Sequence, residues 1–305
     1  MKIPREKTNV TVDAGGKSVA LTNLGKVFFP ELGITKGDLL QYYADVAPFL
    51  LPHVEQRAMV MKRYPNGANG DFFFMKETPT PHPAWLETVP IEHSSGKIVH
   101  FPVVNDLASL LWLINLGCID LNQWYSRIDD VDRPDYLVFD LDPGSAAFER
   151  VCDVALLLHD ALASLKMPAF AKTTGSKGIH VYVPIKRGPL QEEVHEIAKH
   201  FATAMVKHDP KVMTAIYNKA KRPAGSVLVD YNQNRWGATL ASIYSVRPTP
   251  FAGVSAPVTW AEIEEGIAIE DFRMENMLER LKGIGDLWKP TLAKTKRFDL
   301  AKLGG

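Results

Sequence analysis

The sequence predicts an α/β fold with mixed central sheets flanked by helices. Strand-length apolar runs and segments of helical periodicity follow one another along the chain in irregular order, the pattern of mixed sheets more than of a doubly wound one. A composition of 46% hydrophobic and 23% charged residues, with 21 Gly and 21 Pro scattered through the chain, excludes disordered, collagen-like and repeat classes. The 305 residues exceed the usual ~100–200 per domain, so one large unit or two closely packed ones would fit, and no linker is long or polar enough to divide them. The expectation is a single domain over residues 1–305, with 1–18 and 290–305 as peripheral termini.

Taken in order, Ser18 to Thr22 reads as a strand. Thr35 and Asp38 have capping-box spacing ahead of Leu39, Leu40, Tyr43, Val46, Ala47 and Leu50, so a helix opens there with Lys36 at its anion-attracting end. Arg57 to Arg63 and Asp71 to Lys76 read as strands joined through the turn signal Pro65-Asn66-Gly67. A Pro/His-rich loop from Thr78 to Pro83 leads to a strand near Lys97 to Val103. Asn105 or Asp106 caps a helix carrying Leu107, Leu110, Leu111 and Ile114, which Gly117 can end. Asp135 to Asp142 is a strand halted by Pro143-Gly144, and Glu149 to Leu165 is an amphipathic helix. Strands over Ala169 to Thr173 and Ile179 to Pro184 flank the turn Thr174 to Gly178, and Pro189 suits the first turn of a helix through Val194, Ile197, Ala198, Phe201 and Met205. Strands over Ser226 to Tyr231 and Thr239 to Val246 follow, then a capping box at Thr259 and Glu262.

The most apolar stretch, Leu107 to Ile119, is broken by Ser109, Asn115 and Gly117 and falls well short of the ~20 residues of a membrane span. The N-terminus lacks an apolar signal segment, so a cytoplasmic, nucleoid-associated location is expected. Cys118 and Cys152 each sit in an apolar pattern suited to buried thiols in a reducing compartment. Lys plus Arg equal Asp plus Glu at 35 each, but their distribution is uneven. Residues 120–160 hold ten acids against three arginines, and Lys166 to Arg235 hold twelve bases against five acids. Two solvated faces would produce this, and so would an acidic metal centre beside a groove for polyanions.

The sharpest feature is Phe139-Asp140-Leu141-Asp142-Pro143-Gly144. On a strand Asp140 and Asp142 face the same way, and two such carboxylates repel unless a cation lies between them; a hard ion such as Mg²⁺ or Mn²⁺ does this with oxygen ligands. For a lone pair of acids, a solvated strand end is an equally good reading, and the apolar flanking strand tilts the balance toward a metal. Asp230, after the apolar run Ser226 to Val229, is a third acid on a strand; its competing reading is an ion pair with a nearby base. Thr173 to His180 offers hydroxyls, glycines and Lys177, suited to a triphosphate, although without Walker A spacing and with a plain turn as the stronger local reading. Lys62, Arg63 and Tyr64 followed by Phe72, Phe73 and Phe74 interleave bases with aromatics, so that at least one ring is exposed for stacking on a base, or else the sheet is packed on both faces.

FDLDPG at 139–144, TTGSKGIH at 173–180 and VDYNQN at 229–234 together resemble the three motifs of the archaeo-eukaryotic primase superfamily, and more closely the polymerase domain of bacterial ligase D. LTNLGKVFFPELGITKGDLLQYY at 21–43, KRYPNG at 62–67, FFFMKE at 72–77 and YSVRPTPFAGVSAPVTW at 244–260 extend the resemblance over about Val19 to Leu287. It implies a primase-polymerase fold and the following roles. Asp140, Asp142 and Asp230 would bind two Mn²⁺ or Mg²⁺ ions. Ser176, Lys177 and His180 would hold the incoming NTP or dNTP, helped by Arg247 and Lys62 at the triphosphate. Asn23, Lys26 and Lys36 would recognise a DNA 5′-phosphate, Phe73 and Phe74 would stack on template bases, and Arg222 would place the primer terminus. Asp120 stands where several members carry histidine.

The function so implied is a nucleotidyltransferase that extends DNA 3′ ends at gaps or double-strand breaks, by in-line attack of the primer hydroxyl on the α-phosphorus, with Ku and a DNA ligase as partners and no membrane. Nothing like a ligase or phosphoesterase domain follows Lys302, which suggests a stand-alone polymerase or an excised domain. The alternatives are a primase-polymerase of excision repair or priming, and a non-catalytic DNA-end binder. An aspartyl-phosphate phosphatase fits poorly, because Pro143-Gly144 replaces the Thr or Val expected two residues after the second acid.

Overall fold

The structure, a computed structural model, describes every residue except Ser94 and Gly305, so the end of the expected peripheral C-terminus lies outside the described residues. The chain forms two compact units, the first from Met1–Asp129, Thr239–Val254 and Arg273–Gly283, the second from Asp130–Ala238, Ser255–Phe272 and the C-terminal residues from Ile284. Each unit is assembled from separate stretches of sequence, which is why no single linker marks a boundary.

In the first unit, helices α1 (Lys36–Val54) and α2 (Leu107–Asn115) pack on one another. The Thr35 hydroxyl accepts from the Asp38 N–H at 3.2 Å while the Asp38 carboxylate accepts from the Thr35 N–H at 2.9 Å, satisfying two donors at the start of α1. Asp106, not Asn105, caps α2, accepting from the Ser109 N–H at 2.8 Å. A four-stranded sheet runs in the order Leu240–Ala241, Cys118–Gln123, Met59–Arg63, Phe73–Met75. The strand expected over Thr239 to Val246 shrinks to Leu240–Ala241. Ser242 still donates to the Leu121 carbonyl at 2.7 Å, but Ser245 then turns back onto Ser242 and Tyr244 takes a left-handed φ of 60°, which ends any strand. The Tyr43 hydroxyl fixes that turn from the core, donating to the Ile119 carbonyl at 2.8 Å and accepting from the Val246 N–H at 3.0 Å.

The second unit is built on a six-stranded sheet ordered Met213–Thr214, Val227–Asp230, Tyr136–Asp142, Ile179–Pro184, Phe170–Thr173, Pro257–Val258. Its first pair is parallel and the rest antiparallel, the mixed sheet that the sequence predicts. Helices α3 (Phe148–Ser164) and α4 (Gln191–His208) pack against Tyr136–Asp142. Phe201 of α4 lies 5.5 Å from Phe139, so α4 covers the face bearing Leu137, Phe139 and Leu141. Pro189 lies before the cap of α4 and not in its first turn; the start is set instead by Glu193, whose carboxylate accepts from the Leu190 N–H at 2.6 Å. Both cysteines are free and buried, and burial raises the Cys152 thiol to about 11, well away from reactive thiolate behaviour.

Candidate active site

Strand register brings the motif residues of the second unit into one row. Asp230 pairs with Asp140, Asp140 with His180, and His180 with Lys172. Directly paired residues on adjacent strands project to the same face. Four polar side chains from four strands therefore line up on the side opposite Phe139, with Asp142 two residues beyond Asp140 on that same side. His180 Nε2 stands 3.4 Å from Asp140 Oδ1.

The three aspartates are held by different partners. Asp230 Oδ1 accepts from the Tyr217 hydroxyl at 2.7 Å and the Asn232 N–H at 2.7 Å, and Oδ2 accepts from Gln233 at 3.1 Å. Burial and the Asp230 carboxylate together push the Tyr217 phenol well above its ordinary range. Asp142 accepts from the Gly144 N–H at 3.1 Å and pairs with Arg222 at 3.4 Å, Arg222 being tied in turn to the Ile216 and Tyr217 carbonyls. Among the described residues no group of three or more His, Cys, Asp or Glu side chains is arranged to hold a metal ion. The strand register thus brings the acids together, while their carboxylates are turned onto separate partners. Their all-oxygen chemistry suits a hard divalent ion.

The loop after Thr173 is closed onto one of its own side chains. The N–H groups of Ser176, Lys177 and Gly178 all donate to the Thr174 hydroxyl, at 3.1, 3.0 and 3.0 Å, leaving the Ser176 hydroxyl and the exposed Lys177 ammonium for a ligand. Gly178 is required by space: a Cβ there would stand 2.2 Å from the Leu141 carbonyl oxygen, between the two motif aspartates.

Two residues of this unit escaped the sequence reading. Lys172 is 1% exposed, with its ammonium 2.6 Å from His180 Nδ1 and 2.6 Å from the Ser255 hydroxyl. Asn234 is fully buried, and its amide accepts from the Val138 N–H at 2.9 Å and donates to the Val138 carbonyl at 2.7 Å. It thereby serves as a strand partner where Val227–Asp230 has ended. The one signal for it was its place at the end of the VDYNQN motif.

In the first unit Asp120 is cross-strand neighbour to Lys62, which is neighbour to Phe74. Asp120 is buried and pairs with Arg247 at 3.0 Å. Burial lowers the Lys62 pKa from its ordinary value, Asp120 opposes that shift and Arg247 adds to it. The Lys62 ammonium lies 4.0 Å from the Phe72 ring centre, with Tyr64 and Phe74 within 6 Å, an aromatic cage for a cation. Phe72, Phe73 and Phe74 are 51%, 45% and 61% exposed, so the exposure expected of at least one ring extends to all three.

Asn23, Lys26 and Lys36 line one cavity of about 220 Å³ in the same unit, together with Arg63. Lys36 is buried, and its ammonium donates to the Thr22 carbonyl at 2.7 Å; Lys26 donates to the Pro65 carbonyl at 2.7 Å. Burial, then Lys26, then Arg63 push the Lys36 pKa down to about 8. Three cations around a small cavity, one of them desolvated, make its local potential positive. Arg63 had been read only as part of the basic-aromatic stretch.

The mixed sheet and the row of acids are the features expected of a polymerase-type nucleotidyltransferase. A family model for the LigD primase-polymerase domain matches residues 35–288, and the chain belongs to that family. It is 33% identical over 275 residues to the multifunctional non-homologous end joining protein LigD of Mycolicibacterium smegmatis, covering 89% of this chain and 36% of that protein. It is 29% identical over 266 residues to the bifunctional LigD of Bacillus subtilis, covering 87% of this chain and 42% of that protein. The chain thus spans about two fifths or less of these relatives. Among solved structures, the polymerase domain of Mycobacterium tuberculosis ligase D in complex with DNA matches with a TM-score of 0.85 at 31% identity, over 90% of this chain and 98% of that one. No helix among the described residues is long and apolar enough to cross a membrane.

Proposed function

We propose that this chain is a DNA-repair polymerase that adds ribo- or deoxyribonucleotides to DNA 3′ ends at gaps or double-strand breaks and recognises a 5′-phosphate. The single observation that carries this reading is the cross-strand row Asp230, Asp140, His180. Carboxylates on adjacent strands are suited to hold a divalent ion for phosphoryl transfer, with an imidazole beside them to contact a phosphate, and the relatives' end-joining role and the neighbour's DNA complex supply the substrate class.

In this reading Asp140, Asp142 and Asp230 would hold Mn²⁺ or Mg²⁺ through their carboxylates, of which that of Asp142 pairs with Arg222 and that of Asp230 accepts from Tyr217. Bound there, the ions supply charge neutralisation at the attacking hydroxyl and the departing pyrophosphate. His180, Ser176 and Lys177 bind and orient the nucleotide. Lys62 and Arg247 are the first unit's candidates for triphosphate contact, Phe73 and Phe74 for template stacking, and Arg222 for the primer end. Asn23, Lys26, Lys36 and Arg63 take the 5′-phosphate. A Ku-type end binder and a DNA ligase are the partners this reading implies, in the cytoplasm with the DNA.

The test is nucleotide addition on a gapped duplex with Mn²⁺. The double substitution Asp140→Ala, Asp142→Ala should abolish addition while phosphate-dependent DNA binding persists, and retained synthesis overturns the proposal. The ties of Asp142 to Arg222 and Asp230 to Tyr217 favour one other reading, a non-catalytic end binder. That reading predicts binding without incorporation by the unsubstituted chain in the same assay.

A further inference from the structure

A cavity of about 700 Å³ opens in the second unit, far larger than the first unit's basic cavity. It is lined by Lys166, Lys186, Lys296, Arg297 and Lys302 against one carboxylate, Asp299. It lies away from the aspartates. The row of acids pairs at Asp140 and His180, whereas Lys186 follows Pro184, which pairs with Tyr136 at the other end of the same two strands. Four residue steps of strand separate His180 from Pro184, about 13 Å at 3.3–3.4 Å each, and Lys186 lies two residues beyond that end.

The cavity wall is fixed in place. Lys186 donates its N–H to the Phe298 carbonyl at 2.8 Å, and Phe298 donates to the Pro184 carbonyl at 2.8 Å, stitching the C-terminal segment to the sheet. Arg297 pairs at 3.2 Å with Asp135, which is 0% exposed, and this anchors the segment from below. Asp299 is engaged by Lys186 at 3.2 Å and also feels the charge of Lys302, so this single lining carboxylate is shared by two lysines and leaves Lys166 and Lys296 without an acid among the lining residues. Lys166 holds a left-handed φ of 59° just past the end of α3, a position glycine or asparagine fills at lower cost. Leu165 and Phe298 add apolar surface beside the charges, of the kind a sugar or base face covers.

We propose that this cavity is a second phosphate-binding site, one that takes phosphate groups of a nucleic-acid backbone or of a free polyphosphate. Clustered cations with too few acids repel one another, and a multivalent anion relieves that repulsion while releasing counterions. A cavity of this size accommodates more than one phosphate with part of a nucleoside, which a lone inorganic ion would not fill.

The test follows the amide resonances of Lys186 and Phe298 in the full chain, and needs no nucleotide addition, so its outcome is independent of the polymerase proposal. The probes are inorganic tripolyphosphate and a 12-residue single-stranded oligonucleotide without a 5′-phosphate. Saturable shifts of both amides with either probe are expected, and the tighter-binding probe identifies the source. In the triple variant Lys166→Glu, Lys296→Glu, Lys302→Glu, affinity read at these amides should fall at least tenfold, and the salt slope for the oligonucleotide should be shallower by about 2. These residues lie outside the proposed catalytic groups, so nucleotide addition on a short gap, where it is present, serves as the control for folding. Amides that do not move with either probe, or that move equally in the triple variant, overturn the proposal.

Discussion

The Lys172 ammonium approaches His180 Nδ1 to 2.6 Å inside the second unit's sheet, at 1% exposure. An ammonium has three donors and no acceptor, so Nδ1 accepts and a neutral His180 ring carries its proton on Nε2, the nitrogen that faces Asp140. Lys172 in turn is held by the Ser255 hydroxyl, which donates to the Thr173 carbonyl at 2.9 Å. The chain from Ser255 through Lys172 to His180 therefore sets both the tilt and the tautomer of the imidazole.

Lys172→Met is accordingly expected to free the ring without displacing the strands. Nucleotide addition should lose about tenfold or more through a raised KM for the nucleotide, and nitrogen chemical shifts of His180 should report mixed tautomers. Lys172→Arg should recover part of the loss. Unchanged His180 shifts in Lys172→Met would show that the ring is positioned by something else.

Gly178 gives a steric counterpart. Its missing Cβ leaves room for the Leu141 carbonyl, and a methyl at 2.2 Å must push apart the Leu141 and Ile179 strands beside Asp140 and Asp142. Gly178→Ala should destabilise the protein by about 1–3 kcal/mol and cut nucleotide addition, while leaving phosphate-dependent DNA binding by the first unit intact. Gly188→Ala, where a Cβ meets nothing within 4 Å, serves as control. Thermal unfolding and primer extension on both variants check this, and equal melting temperatures for the two would contradict it.

Features that depend on neighbours three or four residues away were legible in the sequence. Thr35 with Asp38 and Thr259 with Glu262 form the capping boxes their spacing predicts. Features that depend on long-range register were not. Lys172 meets Asp230 in one row only because four strands align, and nothing local to Lys172 distinguishes it from an exposed strand lysine. The acidic block over residues 120–160 was legible as a block, but not its division. Asp120 is buried against Arg247, Asp135 against Arg297, and Asp140 faces His180, partners between 40 and 162 residues distant. Charge spacing records which acids are present; the fold decides which are neutralised by a base and which remain for a ligand.

The pocket around Lys36 yields a pH dependence whose sign can be worked out. Burial, Lys26 and Arg63 lower its pKa from 10.5 to about 8, so in the free protein the ammonium is present below pH 8 and is lost above it. A 5′-phosphate is already dianionic above about pH 7, so titration there belongs to the protein. The contribution of the 5′-phosphate to DNA affinity should therefore be largest near pH 7 and decline between pH 8 and 9.5, with phosphate binding shifting the midpoint upward. Folding shows the opposite trend: the unfolded chain holds this proton up to pH 10.5, so the Lys36 contribution to stability improves as pH rises from about 8 to 10.5. Lys36→Met should flatten both dependences, while Lys26→Ala should raise the Lys36 pKa by removing a neighbouring charge and move the decline to higher pH. Fluorescence anisotropy of gapped duplexes with and without the 5′-phosphate, from pH 7 to 9.5, reads these differences. A phosphate effect that is level across that range in the unsubstituted chain would remove Lys36 from the pocket's chemistry.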